Sequence, residues 1–213
     1  MIVRRFMTKN PVCVPPDSSV SDARNVMNRE NIGCLPVLDK NNHLVGIVTK
    51  KDLLKAGPST ATSLDMYEIS YLLSKLKVEK IMERTIITVG EDEVLEEAAR
   101  IMADSDIDYL PVVRGMVLVG IITRKDIFHA FLNAFGARHE GVRLTFSMQE
   151  KPGQLAKLCA ALAEQGGNIV AFISEEGDDV TERRGTLKIT GISREDAEKT
   201  ARSVQAKLLD IRA

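Results

Sequence analysis

The chain has 213 residues, of which 44% are hydrophobic and 28% are charged, and its formal net charge is -1. This composition is typical of a globular protein of one or two domains, and the balanced charge argues against nonspecific nucleic-acid binding as the main activity. No apolar run approaches the roughly 20 residues that cross a bilayer, and the N-terminus lacks the apolar stretch of a secretory signal, so we expect a cytoplasmic protein without membrane contact.

The first part of the chain contains an internal repeat. A shift of 75 positions places Met7 on Met82 and Leu35-Pro-Val37 on Leu110-Pro-Val112. After one deletion in the loop at 39–43, a shift of 74 places Gly46 on Gly120. Two copies of a domain-sized unit are too few for a solenoid, so we interpret them as a duplicated domain.

Each repeat is predicted to run in the order strand, helix, strand, strand, helix. In the first repeat we expect a strand at 12–14, a helix opened by the capping box Ser19 to Asp22, strands at 34–38 and 44–48, and a helix at 50–56. The second repeat is expected to follow at 86–89, 94–103, 109–113, 117–122 and 125–135. One unit alone buries little apolar surface, so the copies are expected to pack as a pair, sheet against sheet.

The end of each repeat carries one pattern twice, in Gly46-Ile-Val-Thr-Lys-Lys-Asp-Leu53 and Gly120-Ile-Ile-Thr-Arg-Lys-Asp-Ile127. A strand that passes directly into a helix presents free N–H groups and basic side chains that favour a phosphate. The aspartates, Asp52 and Asp126, can accept hydrogen bonds from sugar hydroxyls. The same Thr and Asp spacing is also a capping box, and the spacing alone leaves both interpretations open. The recurrence favours a nucleotide site.

These features resemble a tandem pair of cystathionine-β-synthase (CBS) domains, often called a Bateman module, over about residues 1–135. The resemblance rests on Met-Thr near the start, the Leu-Pro-Val strand and the Gly-h-h-Thr-x-x-Asp-h ending, where h is apolar. It implies a regulatory cleft between the copies for an adenosine ligand: AMP, ADP, ATP or S-adenosylmethionine. No cofactor and no metal site are expected, because the three cysteines are far apart and set among apolar neighbours.

The resemblance implies one candidate site at Thr49 and Asp52 and another at Thr123 and Asp126. The base would lie among Ile32, Cys34 and Pro36, or among Ile107, Tyr109 and Pro111, with Lys9 or Arg84 as additional phosphate partners. Tyr109 differs from Cys34 in that its ring can stack on a base, although an ordinary half-buried strand tyrosine is the favoured interpretation.

Between the repeats, the stretch from Gly57 to Thr62 is rich in turn residues, and Thr62 to Asp65 is expected to open a helix. Its apolar stripe, Met66, Ile69, Leu73 and Leu76, is interpreted as core or as a dimer seam. This insertion resembles the linker of the acetoin-utilisation protein B family, whose members also carry a third domain.

After the boundary at 136–141, a strand, helix, strand, strand, helix pattern predicts a ferredoxin-like half-sandwich. We expect a buried strand at 169–173, a charged loop at 175–184 and a last helix with Ala197, Ala201, Val204 and Leu208 inward. The stretch Glu150-Lys-Pro-Gly-Gln-Leu155 with Gly167-Asn-Ile169 resembles an ACT domain, a fold that pairs edge to edge and binds amino acids or other small metabolites. The resemblance implies an effector site at Gly153, Gln154, Leu155, Asn168 and Ile169.

Only residues 210–213 remain for the last strand of that family, so we expect this strand to be short, missing or supplied by a partner. Purely structural use of the domain therefore stays open beside ligand binding.

The predicted fold class is α+β, with CBS domains at 1–60 and 78–136, a linker helix at 61–77 and an ACT-like domain at 141–213. We expect a non-catalytic, homodimeric, allosteric regulator that binds an adenosine ligand. The alternatives are a protein-docking or nucleic-acid-responsive subunit with empty sites and, less favoured, an enzyme of acetoin catabolism. The enzyme is disfavoured because the sequence offers no nucleophile with a neighbouring base, no metal cluster and no Walker loop.

Overall fold

The computed structural model describes residues 1–57, 65–177, 179 and 181–213, which belong to two compact units, Met1–Ile127 and Phe128–Ala213. The first repeat contains β1 (Thr8–Lys9), α1 (Val20–Arg29), β2 (Cys34–Leu38), β3 (Leu44–Thr49) and α2 (Lys50–Lys55). After the linker helix α3 (Met66–Lys75), the second repeat contains β4 (Val89–Gly90), α4 (Leu95–Asp104), β5 (Tyr109–Arg114), β6 (Val117–Thr123) and α5 (Arg124–Ala134). No helix within the described ranges is both long and apolar enough to cross a membrane.

The helices and the two longer strands of each repeat form where the sequence predicts them. The hydroxyl of Ser19 accepts a hydrogen bond of 3.0 Å from the Asp22 N–H at the start of α1, which buries Ala23 and Met27. The first strand of each repeat is shorter than expected. The strand expected at 12–14 is a single parallel bridge between Val14 and Val37, and the strand expected at 86–89 is β4, Val89–Gly90. Pro15 and Pro16, which follow Val14 directly, lack the N–H groups that a longer ladder needs.

The segments that lead into the two repeats are exchanged. Strand β1 pairs antiparallel with β6, with Thr8 opposite Ile121, so the sheet order in the second repeat is β1-β6-β5-β4. The equivalent residue before the second repeat, Glu83, forms an antiparallel bridge with Ile47 in β3, which itself pairs with β2. Each repeat therefore completes the other's sheet, an exchange that the sequence analysis did not predict.

The apolar stripe of the linker helix packs into the core of the first repeat, which is the first of the two roles expected for it. Leu73 is buried there, and Ile69 and Leu76 pack against the same cluster. Its N-cap is Asp65, whose carboxylate accepts from the Glu68 N–H at 2.8 Å. The expected start at Thr62 and the side chain of residue 66 lie outside the described residues.

The second unit has the predicted ferredoxin-like order. It contains β7 (Val142–Gln149), α6 (Gln154–Glu164), β8 (Asn168–Glu176), β9 (Glu182–Thr190), α7 (Arg194–Ser203) and β10 (Lys207–Arg212). The strands form one antiparallel sheet in the order β10-β7-β9-β8. Its core joins inward residues of β7 and β9, such as Phe146 and Leu187, to Leu158 of α6 and Ala201 of α7.

Three expectations for this unit were wrong. The last strand is complete, because α7 ends at Ser203, Gln205 turns the chain with a φ of 63°, and Leu208 pairs with Phe146 in the sheet instead of continuing the helix. The expected charged loop at 175–184 is strand at both of its ends, since β8 runs to Glu176 and β9 begins at Glu182. Strand β8 is a half-exposed edge strand and not a buried one, because β9 alone pairs with it among the described strands.

Candidate functional site

The two Thr/Asp pairs are built alike. The Thr49 hydroxyl donates to Asp52 Oδ2 at 2.7 Å, the Thr49 N–H donates to the same oxygen at 2.9 Å, and the Asp52 N–H donates to Thr49 Oγ1 at 3.3 Å. In the second repeat the corresponding distances at Thr123 and Asp126 are 2.7, 2.9 and 3.2 Å. The capping-box interpretation is therefore confirmed at both junctions.

Capping occupies one oxygen of each carboxylate and leaves the other available. The two bonds that each carboxylate accepts both go to Oδ2, and no described residue donates a hydrogen bond to Oδ1. A carboxylate has about four lone-pair sites, so the second oxygen can accept from a ligand hydroxyl while the first caps the helix. Both aspartates are half-buried, which leaves them accessible from one side. The two interpretations of this motif are compatible.

The strands bring the expected base-pocket residues to the same junctions. Cys34 lies opposite Thr49, and Tyr109 lies opposite Thr123. Burial, followed by the charges of Asp52 and Cys13, raises the pKa of the Cys34 thiol, which therefore stays neutral. The other expected members are the buried Pro36 and Pro111 and the half-buried Ile32 and Ile107.

The exchange of leading segments decides where the two additional basic residues lie. Lys9 pairs with Gly120 on β6, the strand that ends at Thr123. Arg84 follows Glu83, which forms a bridge with Ile47 in β3, the strand that ends at Thr49. The Arg84 guanidinium donates a hydrogen bond of 3.0 Å to the Glu79 carbonyl. Each basic residue is thus carried by one repeat's leading segment to the other repeat's sheet.

One residue of this region, Gly33, was missed by the sequence analysis. A Cβ atom added to Gly33 would lie 2.1 Å from the Tyr109 hydroxyl oxygen. The repeat alignment contains a signal for this contact, because it aligns the small residues Gly33 and Cys34 of the first repeat with the larger Asp108 and Tyr109 of the second.

The expected effector residues of the second unit lie in two places. Gln154 and Leu155 line a cavity of about 320 Å³, whose lining includes Phe146, Met148, Phe172, Glu150, Lys151 and Arg183. Gly153 begins the adjacent helix in a left-handed conformation, with a φ of 85°. Asn168 and Ile169 start β8 opposite Thr190 and Ile189. Arg183, which forms an ion pair with Glu150, was not predicted, because its place in a strand was not recognised.

Family models match most of the chain. The CBS domain model matches residues 3–59 and 78–133, and the TTHA0829-like ACT domain model matches residues 140–212. Among curated proteins, inosine-5'-monophosphate dehydrogenase from Korarchaeum cryptofilum (strain OPF8) is 35% identical over 140 residues, which are 65% of this chain and 26% of the enzyme. The chain spans less than a third of the length of the first curated relatives that it matches.

Solved structures resemble the repeat pair. The CBS domain pair of protein MJ0100, in complex with 5'-methylthioadenosine and S-adenosyl-L-methionine, has a TM-score of 0.53 and 30% identity, covering 65% of this chain and 98% of that chain. CBSX2 in complex with AMP has a TM-score of 0.50 and 36% identity, covering 62% and 96%. A putative acetoin utilization protein (AcuB) from Vibrio cholerae has a TM-score of 0.52 and 32% identity, covering 62% and 91%. The chain belongs to the CBS-domain family, with two CBS domains in tandem and a C-terminal ACT-like domain.

Proposed function

We propose that this chain is a non-catalytic regulatory protein whose CBS pair binds an adenosine ligand: AMP, ADP, ATP or S-adenosylmethionine. The observation that carries the proposal is the doubled Thr/Asp junction, in which each aspartate keeps Oδ1 available beside a helix start. Asp52 and Asp126 would accept hydrogen bonds from the ribose hydroxyls, and the N–H groups at the helix starts would favour phosphate. The complexes of MJ0100 with S-adenosylmethionine and of CBSX2 with AMP support this ligand class.

Regulation would follow from a difference in ligand affinity between two arrangements of the chain, since a ligand shifts an equilibrium only by that difference. The exchanged leading segments support this mechanism, because a change in one repeat reaches strands that belong to the other. We propose that the functional form is a homodimer, which transmits the change to a downstream protein.

The first experiment is thermal unfolding of the whole chain with AMP, ADP, ATP or S-adenosylmethionine, followed by calorimetric titration of each compound that raises the Tm. A compound at about 100 times its Kd should add about 2.7 kcal/mol, which raises the Tm by a few degrees. A Tm that none of the four compounds raises would favour the alternative of a docking or nucleic-acid-responsive subunit. Turnover of ATP by the pure protein, abolished by one point mutation, would contradict the non-catalytic role.

The second experiment separates capping from ligand binding. Asp52→Ala and Asp126→Ala remove both a capping carboxylate and a proposed ribose acceptor. Asp22→Ala is the matched control at the start of α1, because it removes a carboxylate that, among the described residues, accepts only from the Ser19 hydroxyl and has no proposed ligand. Each variant should lose about 1 kcal/mol of stability. Loss of a charge-assisted hydrogen bond should weaken affinity about tenfold or more in the first two only. Equal affinities in all three variants would show that the aspartates only cap helices.

For the second unit we propose an amino acid effector in the cavity lined by Gln154 and Leu155. The cavity joins apolar side chains to both charge signs, in Glu150, Lys151 and Arg183, which suits a zwitterion with an apolar side chain. Thermal unfolding with the common amino acids tests this. Phe172 lies in the cavity wall and is 40% exposed, and Phe172→Ala should abolish the Tm shift. Leu209 is 42% exposed on the opposite edge strand, and the control variant Leu209→Ala should retain the shift. A shift retained by both variants would place the effector elsewhere.

A role in acetoin utilisation is a finer proposal, supported by the similarity to the Vibrio cholerae protein. Disrupting the gene should impair growth on acetoin, and the intact chain should restore growth where the Asp52→Ala/Asp126→Ala double variant does not. Unimpaired growth on acetoin would remove this proposal and leave ligand binding untouched.

A further inference from the structure

Gly33 and Tyr109 lie at the same part of the two repeats, where the middle strand begins, and they contact each other. A Cβ added to Gly33 would lie 2.1 Å from the Tyr109 hydroxyl oxygen and 3.1 Å from Cζ. Gly33 is not among the residues with a positive φ, so its backbone conformation does not require glycine. The missing side chain instead makes room for the tyrosine hydroxyl.

This contact joins the two candidate nucleotide sites. Tyr109 pairs with Thr123 in the sheet of the second repeat. The Gly33 carbonyl accepts a hydrogen bond of 3.0 Å from the N–H of Lys50, the first residue of α2 in the first repeat. The Tyr109 side chain therefore starts beside one Thr/Asp pair and ends beside the other. Burial, followed by the charges of Cys34 and Asp108, raises the pKa of Tyr109 and keeps the hydroxyl neutral.

We propose that Gly33 positions Tyr109 across the repeats and that Tyr109 makes the Thr123/Asp126 site the tighter of the two for the purine base. The inference rests on the proposed function and names the residue that distinguishes its two sites. A ring held from both repeats offers a fixed apolar face on which a base can stack. Cys34, at the matching position of the first site, has a small neutral thiol and no such face.

The two sites can be measured separately. Asp52→Ala leaves the Thr123/Asp126 site, and Asp126→Ala leaves the Thr49/Asp52 site. Both variants and the intact chain are titrated by calorimetry with AMP and with S-adenosylmethionine. We expect the Asp52→Ala protein to bind at least tenfold more tightly than the Asp126→Ala protein. Equal or reversed affinities would overturn the inference alone, whereas no binding to the intact chain would remove the proposed function with it.

Gly33→Ala tests the positioning role. In the Asp52→Ala protein it should weaken binding about tenfold, because the new methyl group displaces the Tyr109 hydroxyl. Adding Tyr109→Phe should restore most of the affinity, because the nearest remaining ring atom, Cζ, is 3.1 Å from that methyl group and needs to move only slightly to reach ordinary van der Waals contact. A Gly33→Ala variant that binds normally, or that Tyr109→Phe does not rescue, would contradict the positioning role.

Two further measurements keep the test independent of folding defects. Tyr109→Leu, in the same Asp52→Ala protein, keeps apolar bulk without a ring and should also weaken binding about tenfold. The chain has no tryptophan, so its tyrosine fluorescence can be measured directly. The contribution of Tyr109 is the emission lost in the Tyr109→Phe variant, and this contribution should be quenched on titration with AMP. Unchanged Tyr109 emission at saturation would assign the residue a structural role and overturn the inference.

Discussion

Glu83 and Ile47 exchange two backbone hydrogen bonds, of 2.9 and 3.0 Å, although Glu83 precedes the second repeat and Ile47 lies in β3 of the first. Thr8 makes the matching pair with Ile121. Neither repeat therefore has a complete sheet by itself, and two glycines, Gly46 and Gly120, lie where the exchanged segments cross the strands.

Alanine at these glycines is expected to destabilise the first unit. A Cβ at Gly46 would lie 2.3 Å from Met82 Sδ, and a Cβ at Gly120 would lie 2.5 Å from Met7 Sδ and 3.0 Å from the Thr8 carbonyl oxygen. Overpacking typically costs about 1–3 kcal/mol. Gly120→Ala should cost more, because a carbonyl in a paired strand cannot rotate away as a methionine can.

Equilibrium urea unfolding measures this effect, and Gly90→Ala is the control, since nothing lies within 4 Å of a Cβ built on that residue. If Gly46→Ala and Gly120→Ala are as well tolerated as Gly90→Ala, the exchanged segments do not pack on these strands.

Adjacent leucines of α3 test the docking of the linker helix. Leu73 is 7% exposed in the core of the first repeat, whereas Leu72 is 52% exposed. Leu73→Ala should therefore cost about 2–5 kcal/mol through lost burial and a cavity, and Leu72→Ala should cost about 0.5 kcal/mol or less. Similar losses of unfolding free energy for the two variants in chemical denaturation would mean that α3 does not pack against the core through Leu73.

The stability of the first unit should decrease as the pH rises above about 8.5, the usual thiol pKa. Burial raises the pKa of Cys34, so the unfolded chain releases this proton at a lower pH than the folded chain does. In that range the folded state binds more protons, and the free energy of unfolding falls with pH. The raised pKa of Tyr109 acts in the same direction above about 10.

Urea unfolding at successive pH values tests this dependence. Cys34→Ala should flatten the slope above about pH 8.5. Cys159→Ala, in helix α6 of the second unit, serves as the control and should leave the transition of the first unit unchanged. A slope that Cys34→Ala does not alter would mean that this thiol is not protected from ionisation in the folded chain.

The last strand can be tested by deletion of residues 207–213. Without β10, strand β7 becomes an exposed edge and the core loses Leu208 and Ile211, so the second unit should no longer unfold cooperatively. Amide hydrogen exchange at 142–149 should accelerate, while exchange in α1 should stay slow. Slow exchange at 142–149 in the shortened chain would contradict the β10 pairing.

Features that depend on residues close together along the chain could be predicted from the sequence. The three-residue spacing in Ser19/Asp22, Thr49/Asp52 and Thr123/Asp126 sets both partners on one helical turn, so the caps and the candidate site residues followed from local geometry. Apolar runs placed strands β2, β3, β5 and β6 to within one residue. The repeat itself is visible because both copies kept Gly-h-h-Thr-x-x-Asp-h.

Only the tertiary structure decided how the repeats combine. Met7, Met82, Gly46 and Gly120 recur in register, yet their sequence does not tell whether Met7 packs on Gly46 or on Gly120, because both pairings have identical local patterns. The Gly33 and Tyr109 contact joins residues far apart in the chain, and no local periodicity encodes it.

The end of the chain shows the same limit. The spacing of Ala197, Ala201, Val204 and Leu208 fits a helix throughout, but Gln205 adopts a positive φ and Leu208 pairs with Phe146. Pairing with β7 stabilises the strand in a way that helical spacing alone does not reveal, because the benefit comes from a partner far away in sequence. The sequence thus determined the local elements and the junction chemistry, and long-range pairing decided their arrangement.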